Sequence, residues 1–248
     1  MILAVLRLVL MALALAICAP IHIIWKAVSG SGAIARLFLT IVGYILGLRV
    51  RRDGPAPPRR TLLLPNHVSW LDIVVMASAT GCAFVSKAEV RGHPLIKWLA
   101  DQRDTIYVER ENKRSIDKQV AAVRASFNHP LPLAIFPEGT TNDGTALKPF
   151  RSALLKAVDP APDDFWVIPV AIDYGRDAPL IAWYDGEPGV DNARKILTRR
   201  KPIRVTVHML EPLPAGMNRK QMAETTQARI ADKLGLGPAA SSPMRAAQ

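Results

Sequence analysis

The chain is short of acid, of cysteine and of patterned histidine, and each shortage removes a class of protein. It sets 21 Asp and Glu against 32 Lys and Arg, a formal charge of +11 over 248 residues. Its two cysteines, Cys18 and Cys82, are too few for a disulfide scaffold or a four-cysteine zinc site. His22, His93, His129 and His208 are scattered without metal-ligand spacing, so no metal is expected. Residues 1–50 contain no acid at all. What the chain has in quantity is apolar residue, 50% of the total. That content excludes a disordered basic tail, which lacks the means to build a core. The length suits one domain of about 200 residues with an appendage, and is too short for a multi-span transporter plus a globular domain.

The apolar residues are unevenly placed. Met1 to Trp25 is almost continuously apolar, broken by Arg7, Pro20 and His22, and Ala33 to Leu48 is a second run broken by Arg36. Crossing the hydrocarbon core takes about 20 apolar residues, a length only the first run reaches. Three readings compete: a cleaved signal peptide, one spanning helix followed by a buried helix, and a helical hairpin embedded in one leaflet. The missing basic n-region argues against the first. The turn-forming Ser29-Gly30-Ser31-Gly32 between unequal runs favours the hairpin. Residues 1–50 are thus expected to anchor the protein to a membrane. Arg49, Arg51, Arg52, Arg59 and Arg60 follow with one acid, Asp53. By the positive-inside tendency they put the next domain on the cytoplasmic face of the inner membrane, near anionic lipid.

Residues 51–234 read as one α/β domain, entered through Gly54-Pro55-Ala56-Pro57-Pro58. Strands are expected at Thr61–Leu64, Ala83–Ser86, Thr105–Val108, Leu133–Phe136, Trp166–Ile172 and Ile203–Leu210. Helices are expected at Asp72–Ala79, Pro94–Ala100, Ser115–Phe127, Ser152–Val158 and Asn218–Leu234, with Asn218 as cap. Pro169 suggests that its strand is an edge, bulged or ending. Alternating elements of this kind predict a mostly parallel central sheet flanked by helices. Residues 235–248, small and polar, read as a disordered tail.

Three blocks carry chemistry. Asn66-His67-Val68-Ser69-Trp70-Leu71-Asp72 leaves the apolar strand Leu62–Leu64, and a loop at a strand's carboxyl end is where open α/β sheets place their sites. A chain turning into a helix near Ser69 lets Asp72 reach back to His67, holding Nδ1–H and leaving Nε2 free as a base. No serine or cysteine nearby has a nucleophile-elbow setting, so such a base would activate a substrate hydroxyl. Phe136-Pro137-Glu138-Gly139-Thr140 ends a second apolar strand in a tight turn. Thr105-Ile106-Tyr107-Val108-Glu109-Arg110 ends a third in an arginine suited to a phosphate.

In order and spacing these blocks, with Ile168-Pro169-Val170, resemble the glycerolipid acyltransferase family, which acylates glycerol 3-phosphate and lysophospholipids. The resemblance runs from about Leu62 to Ile172. It implies that His67 is the general base and Asp72 its orienting partner, that Arg110 holds the acceptor phosphate, and that Asn66, Glu138, Gly139 and Thr140 shape the substrate site. It further implies acyl transfer from acyl-CoA or acyl-carrier protein, without a cofactor, to a lysophospholipid acceptor. The acceptor implied first is 1-acyl-sn-glycerol 3-phosphate, giving phosphatidic acid, with lyso-ornithine lipid as the alternative. Two departures bear on the headgroup. Asp104 stands where the family often has glycine, and Thr141 where it often has arginine; Lys148 and Arg151 are candidates to restore part of that charge.

The competing classes explain less. A non-enzymatic basic lipid-binding protein leaves the His67–Asp72 and Phe136–Thr140 blocks as coincidence. A nucleic-acid-binding protein leaves the first fifty residues unexplained. Arg194-Lys195 and Arg199-Arg200-Lys201 with Arg204 carry no interleaved aromatics, so no nucleic acid is expected, and a membrane surface or an acidic carrier protein suits them better.

Overall fold

The computed structural model describes residues 1–87, 92, 94–108, 120–121, 124–125, 127, 129–162, 164–184 and 186–236. Glu109-Arg110, most of the helix expected at Ser115–Phe127 and the tail from residue 237 lie outside the described residues.

The two apolar runs form α1 (Ile2–Ser29) and α2 (Ala33–Leu46). The Ser-Gly turn works as its chemistry predicts: Gly30 takes the left-handed conformation (φ 68°) and its N–H closes on the Lys26 carbonyl. Helix α1 is long and apolar enough to cross a membrane by length and composition, and only 11% of its most apolar window is buried against the protein. Side chains such as Leu8, Val9, Leu13, Ile17 and Ile21 stay exposed. Arg7 and His22 are buried. Arg7 donates to the carbonyls of Ile196, Leu197 and Arg199 (3.1, 3.0 and 2.9 Å), and His22 pairs with Gln102 (3.0 Å).

Gly47 ends α2 in the left-handed region, and the chain passes directly into β1 (Leu48–Asp53). Of the arginines read from sequence as a flank beside the membrane, Arg49, Arg51 and Arg52 are therefore part of the sheet. Leu48 and Val50 alternate with Arg49 and Arg51, the period of a half-buried strand. The following elements are β2 (Thr61–Pro65), α3 (Leu71–Thr80), β3 (Ala83–Lys87), α4 (Pro94–Asp101), β4 (Ile106–Val108), β5 (Leu133–Ala134), a 3-10 segment Ser152–Val158 and β6 (Trp166–Asp173). Then come α5 (Ala178–Ile181), α6 (Gly189–Thr198), β7 (Ile203–Met209) and α7 (Arg219–Leu234). Neither α5 nor α6 was expected from sequence. Asn218 caps α7 in a full capping box with Gln221.

Among the described residues the sheet has seven strands in the order β1-β7-β6-β2-β5-β3-β4. All pairs are parallel except β6–β7. One core lies under α2, α3 and α6, the other under α7 and the 3-10 segment. Two expectations change. The strand at Leu133–Phe136 is regular only to Ala134; Ile135 N–H still donates to Leu63, but Pro137 has no N–H to continue with. Strand β6 is interior, not an edge. Its proline is tolerated because the β6–β7 ladder starts one residue later, at Val170, and Pro169 uses its carbonyl to accept from Leu210 (3.1 Å).

Candidate active site

The end of β2 is fastened to β6 by a side chain. Asn66 is buried; its Oδ1 accepts from Ile172 N–H (2.7 Å) and its Nδ2 donates to the Ile172 carbonyl (3.2 Å). The amide thus imitates one more ladder residue while the backbone turns away into the loop. Its polar groups are spent on the backbone, so it positions the following His67 instead of facing a ligand.

His67 sits at the start of that loop with its Nδ1 2.8 Å from Asp72 Oδ2. Asp72, in the first turn of α3, is fully buried. Its Oδ2 also accepts from the N–H groups of Val68 (2.7 Å) and Ser69 (3.0 Å), and its Oδ1 from the Tyr174 hydroxyl (2.6 Å). Apart from His67, three donors converge on this carboxylate, which has only acceptor positions to offer them. A hydrogen on Nδ1 of His67 fits this set of acceptor positions, and it leaves Nε2 as the nitrogen able to take a proton. The ring is held from its flat side by Phe136, with centroids 4.1 Å apart.

The second block is the loop's other support. Glu138 is 1% exposed. Its Oε1 accepts from His67 N–H (2.7 Å), and its Oε2 from Asn142 Nδ2 and Lys148 N–H (both 2.8 Å). Burial pushes its carboxyl above the ordinary value, and these three donors offset only part of that rise. Asn142 N–H in turn donates to the His67 carbonyl (2.8 Å). The acid thus clamps the backbone of the histidine from inside. Gly139 takes a positive φ (76°) and donates its N–H to the Phe136 carbonyl (3.1 Å).

Thr140, Thr141, Lys148 and Arg151 are on the loops that follow β5, whereas Arg103 and Asp104 precede β4, at the end of the parallel strands opposite His67, so Asp104 does not bear on the headgroup site. Thr140 and Arg151 are exposed, and Arg151 N–H donates to the Pro137 carbonyl (2.8 Å). Lys148 Nζ donates to the Thr141 carbonyl (2.7 Å). Thr141, where the family often has arginine, donates its hydroxyl to the Trp183 carbonyl, while Trp183 N–H reaches Val68 O (3.0 Å). Asp104 pairs with Lys26 (3.3 Å) and His129 (3.5 Å). Arg103 turns away from Asp104 to the carbonyls of Gly81 (2.6 Å), Cys82 (2.7 Å) and Gly32 (3.3 Å). Arg110 lies outside the described residues. Among those described, no three His, Cys, Asp or Glu side chains gather as a metal site.

Sequence reasoning missed Tyr174, Asn142 and Asn192. Tyr174 is 102 positions from Asp72, with no spacing to betray the contact; its one signal is that it directly follows β6. Asn142 comes four residues after Glu138. Asn192, on α6, accepts from Trp70 Nε1 (3.0 Å) and donates to Ala182 O and Glu187 (both 2.8 Å), which joins the His67 loop to a helix that was not expected.

A strand-end histidine with its carboxylate, clamped by a buried glutamate on the next loop, matches a known group of enzymes. The Acyltransferase family profile matches residues 47–173, from the turn into β1 to the end of β6. The chain is 35% identical over 224 residues to the lyso-ornithine lipid O-acyltransferase of Pseudomonas aeruginosa, covering 86% of this chain and 83% of that one. It is 32% identical over 167 residues to a 1-acyl-sn-glycerol-3-phosphate acyltransferase of Neisseria gonorrhoeae, covering 66% and 57%. The solved 1-acyl-sn-glycerophosphate acyltransferase from Thermotoga maritima shares the fold, with a TM-score of 0.66, 19% identity and coverage of 96% and 97%. The chain belongs to the acyltransferase family. It is an acyltransferase of lipid metabolism whose long apolar N-terminal helix suits association with a membrane.

Proposed function

We propose that the enzyme transfers a fatty acyl group from a thioester, acyl-CoA or acyl-carrier protein, to the free hydroxyl of a lysolipid, at the cytoplasmic face of the inner membrane. His67 Nε2 takes the hydroxyl proton, the oxygen attacks the thioester carbonyl, and the C–S bond breaks as the C–O bond forms. The proton passes from His67 to the departing thiolate, so the histidine is restored each turn. Asp72 holds the tautomer and stabilises the imidazolium that forms in between. With both substrates bound side by side, positioning supplies much of the rate. The observation that carries this reading is the buried Asp72, held by three donors and placed 2.8 Å from Nδ1 of His67.

Two acceptors are in view. Phosphatidic acid synthesis from 1-acyl-sn-glycerol 3-phosphate requires a phosphate site, for which Arg110, Lys148 and Arg151 are the candidates. Lyso-ornithine lipid is favoured by the longer match to a relative of that name and by Thr141 in place of a cation. Membranes carrying the full chain, supplied with acyl thioester and each acceptor in turn, decide between them. Transfer is expected to vanish in His67→Ala while the protein stays with the membrane fraction. Retention of activity by that variant would overturn the mechanism.

A further inference from the structure

Two arginine-bearing segments far apart in sequence meet in the sheet. The β1–β7 register sets Arg49 beside Arg204 and Arg51 beside Thr206. Leu48, Ile203, Val205 and Val207 point into the core beneath α2 and α3. By strand alternation Arg51 and Arg204 project from the opposite face. Arg49, at the sheet edge, curls so that its Cζ lies 4.3 Å over the Tyr44 ring. Arg200 and Lys201, in the turn leading into β7, extend the patch, and all five cations are exposed or nearly so. Among the described residues Arg200, Lys201 and Arg204 make no ion pair. Asp53, at the far end of β1, is already held by His208 at 2.7 Å.

This arrangement is not explained by stability. Like charges opposed in a ladder cost a few tenths to about 1 kcal/mol. A charged edge strand does guard against unwanted strand pairing, but Arg200, Lys201 and Arg204 are not on the edge strand. The position is informative instead. Strand β7 runs antiparallel to β6, with Asp173 opposite Thr206, so β7 begins at the end of the sheet where β2 delivers His67. Two strand spacings, about 10 Å, separate β7 from β2. Helix α1 packs against α2 and α6, on the face of the sheet that α2 and α3 cover. Arg51 and Arg204 thus face away from the hairpin's apolar surface, toward water.

We propose that this patch docks an acidic acyl-carrier protein, which presents its acyl thioester to His67 on a long flexible arm. The inference rests on the acyl-transfer reading above and names the donor's docking surface. The chemistry is unchanged: the carrier's C–S bond breaks, the ester C–O bond forms, and the hydroxyl proton ends on the carrier's thiol. Complementary charge at such a surface acts on encounter more than on the chemical step, and is weakened by salt.

The test uses the full chain in detergent with carrier-bound and CoA-bound donors of one chain length. The double variant Arg51→Glu/Arg204→Glu is expected to raise KM for the carrier donor about tenfold, with kcat/KM for acyl-CoA unchanged. Arg51→Gln/Arg204→Gln gives a smaller shift and serves if charge reversal impairs folding. An unchanged carrier KM, an equal loss with both donors, or a wild type that uses acyl-CoA but not the carrier would each overturn the proposal. So would loss of binding to phosphatidylglycerol-containing vesicles with carrier kinetics intact, which would assign the patch to lipid. If the wild type uses neither donor, the acyl-transfer reading itself fails. Direct titration of carrier protein onto wild type and double variant then still decides the docking surface: equal binding overturns it.

Discussion

Asp72→Asn separates two services that the carboxylate performs for His67. The carboxamide keeps the shape but has one accepting end and one donating end. Three N–H groups converge on the Oδ2 position: His67 Nδ1, Val68 and Ser69. One hydroxyl, Tyr174, meets Oδ1. Two of the three N–H groups are backbone and cannot turn away, whereas the hydroxyl can rotate to accept. The amide oxygen therefore takes the Oδ2 position, its NH2 faces Tyr174, and His67 keeps its hydrogen on Nδ1. What disappears is the negative charge beside the imidazolium. Opposite charges about 4 Å apart at an effective dielectric near 20 interact by about 4 kcal/mol. At about 1.36 kcal/mol per tenfold, kcat is expected to fall by about 10²- to 10³-fold with acceptor KM little changed. Steady-state acyl transfer with saturating thioester measures this. A fall of less than tenfold would mean that the charge is not used. A loss as complete as in His67→Ala would mean that the ring has turned over, refuting the argument that the backbone pair orients the amide.

Three further outcomes follow from the same contacts. Tyr174→Phe removes a buried donor to a charged acceptor; it is expected to cost about 1.5–3 kcal/mol of stability by denaturant unfolding, and to lower kcat less than Asp72→Asn does. Glu138 is shifted upward by burial, so the folded state binds its proton more tightly than the unfolded chain, and this group's contribution to stability declines as pH rises from the ordinary glutamate value through the folded one. Glu138→Gln removes that decline and also leaves one of three N–H donors without an acceptor; an unfolding midpoint whose pH dependence matches the wild type's would contradict the shift. Arg7→Met leaves the carbonyls of Ile196, Leu197 and Arg199 without their shared donor, and amide exchange at the carboxyl end of α6 is expected to accelerate; unchanged protection there would show that Arg7 does not hold α1 to α6.

Much of the fold was legible because its signals are local. The hairpin follows from two apolar runs and a Ser-Gly turn, and the parallel sheet from short apolar strands alternating with helices. Asn218 announced the start of α7, since capping chemistry is settled within four residues. The His67–Asp72 contact was legible for the same reason: five residues of chain entering a helix leave the two side chains within reach. Helix α6 escaped notice because its charged residues read as a basic run, and its buried residues, Asn192 and Ile196, are too few to make a stripe. That Arg49, Arg51 and Arg52 belong to a strand was missed because an alternating Leu-Arg-Val-Arg segment is too short a signal until a strand is found to pair with it.

The limits of locality also divide the site. The amino-acid sequence by itself determined that this is a basic chain with an apolar N-terminal hairpin, and that a histidine and an aspartate stand together at the end of a strand. It also determined the loop blocks that mark the acyltransferase family. Only the tertiary structure decided what surrounds them: that Tyr174 donates to Asp72, that Glu138 grips the backbone of His67 instead of offering its carboxylate outward, and that Arg49 and Arg204 lie side by side. Each of these contacts joins segments more than 70 residues apart. Their partners are chosen by sheet order and by burial, where a polar group must find whatever complement the packing brings to it.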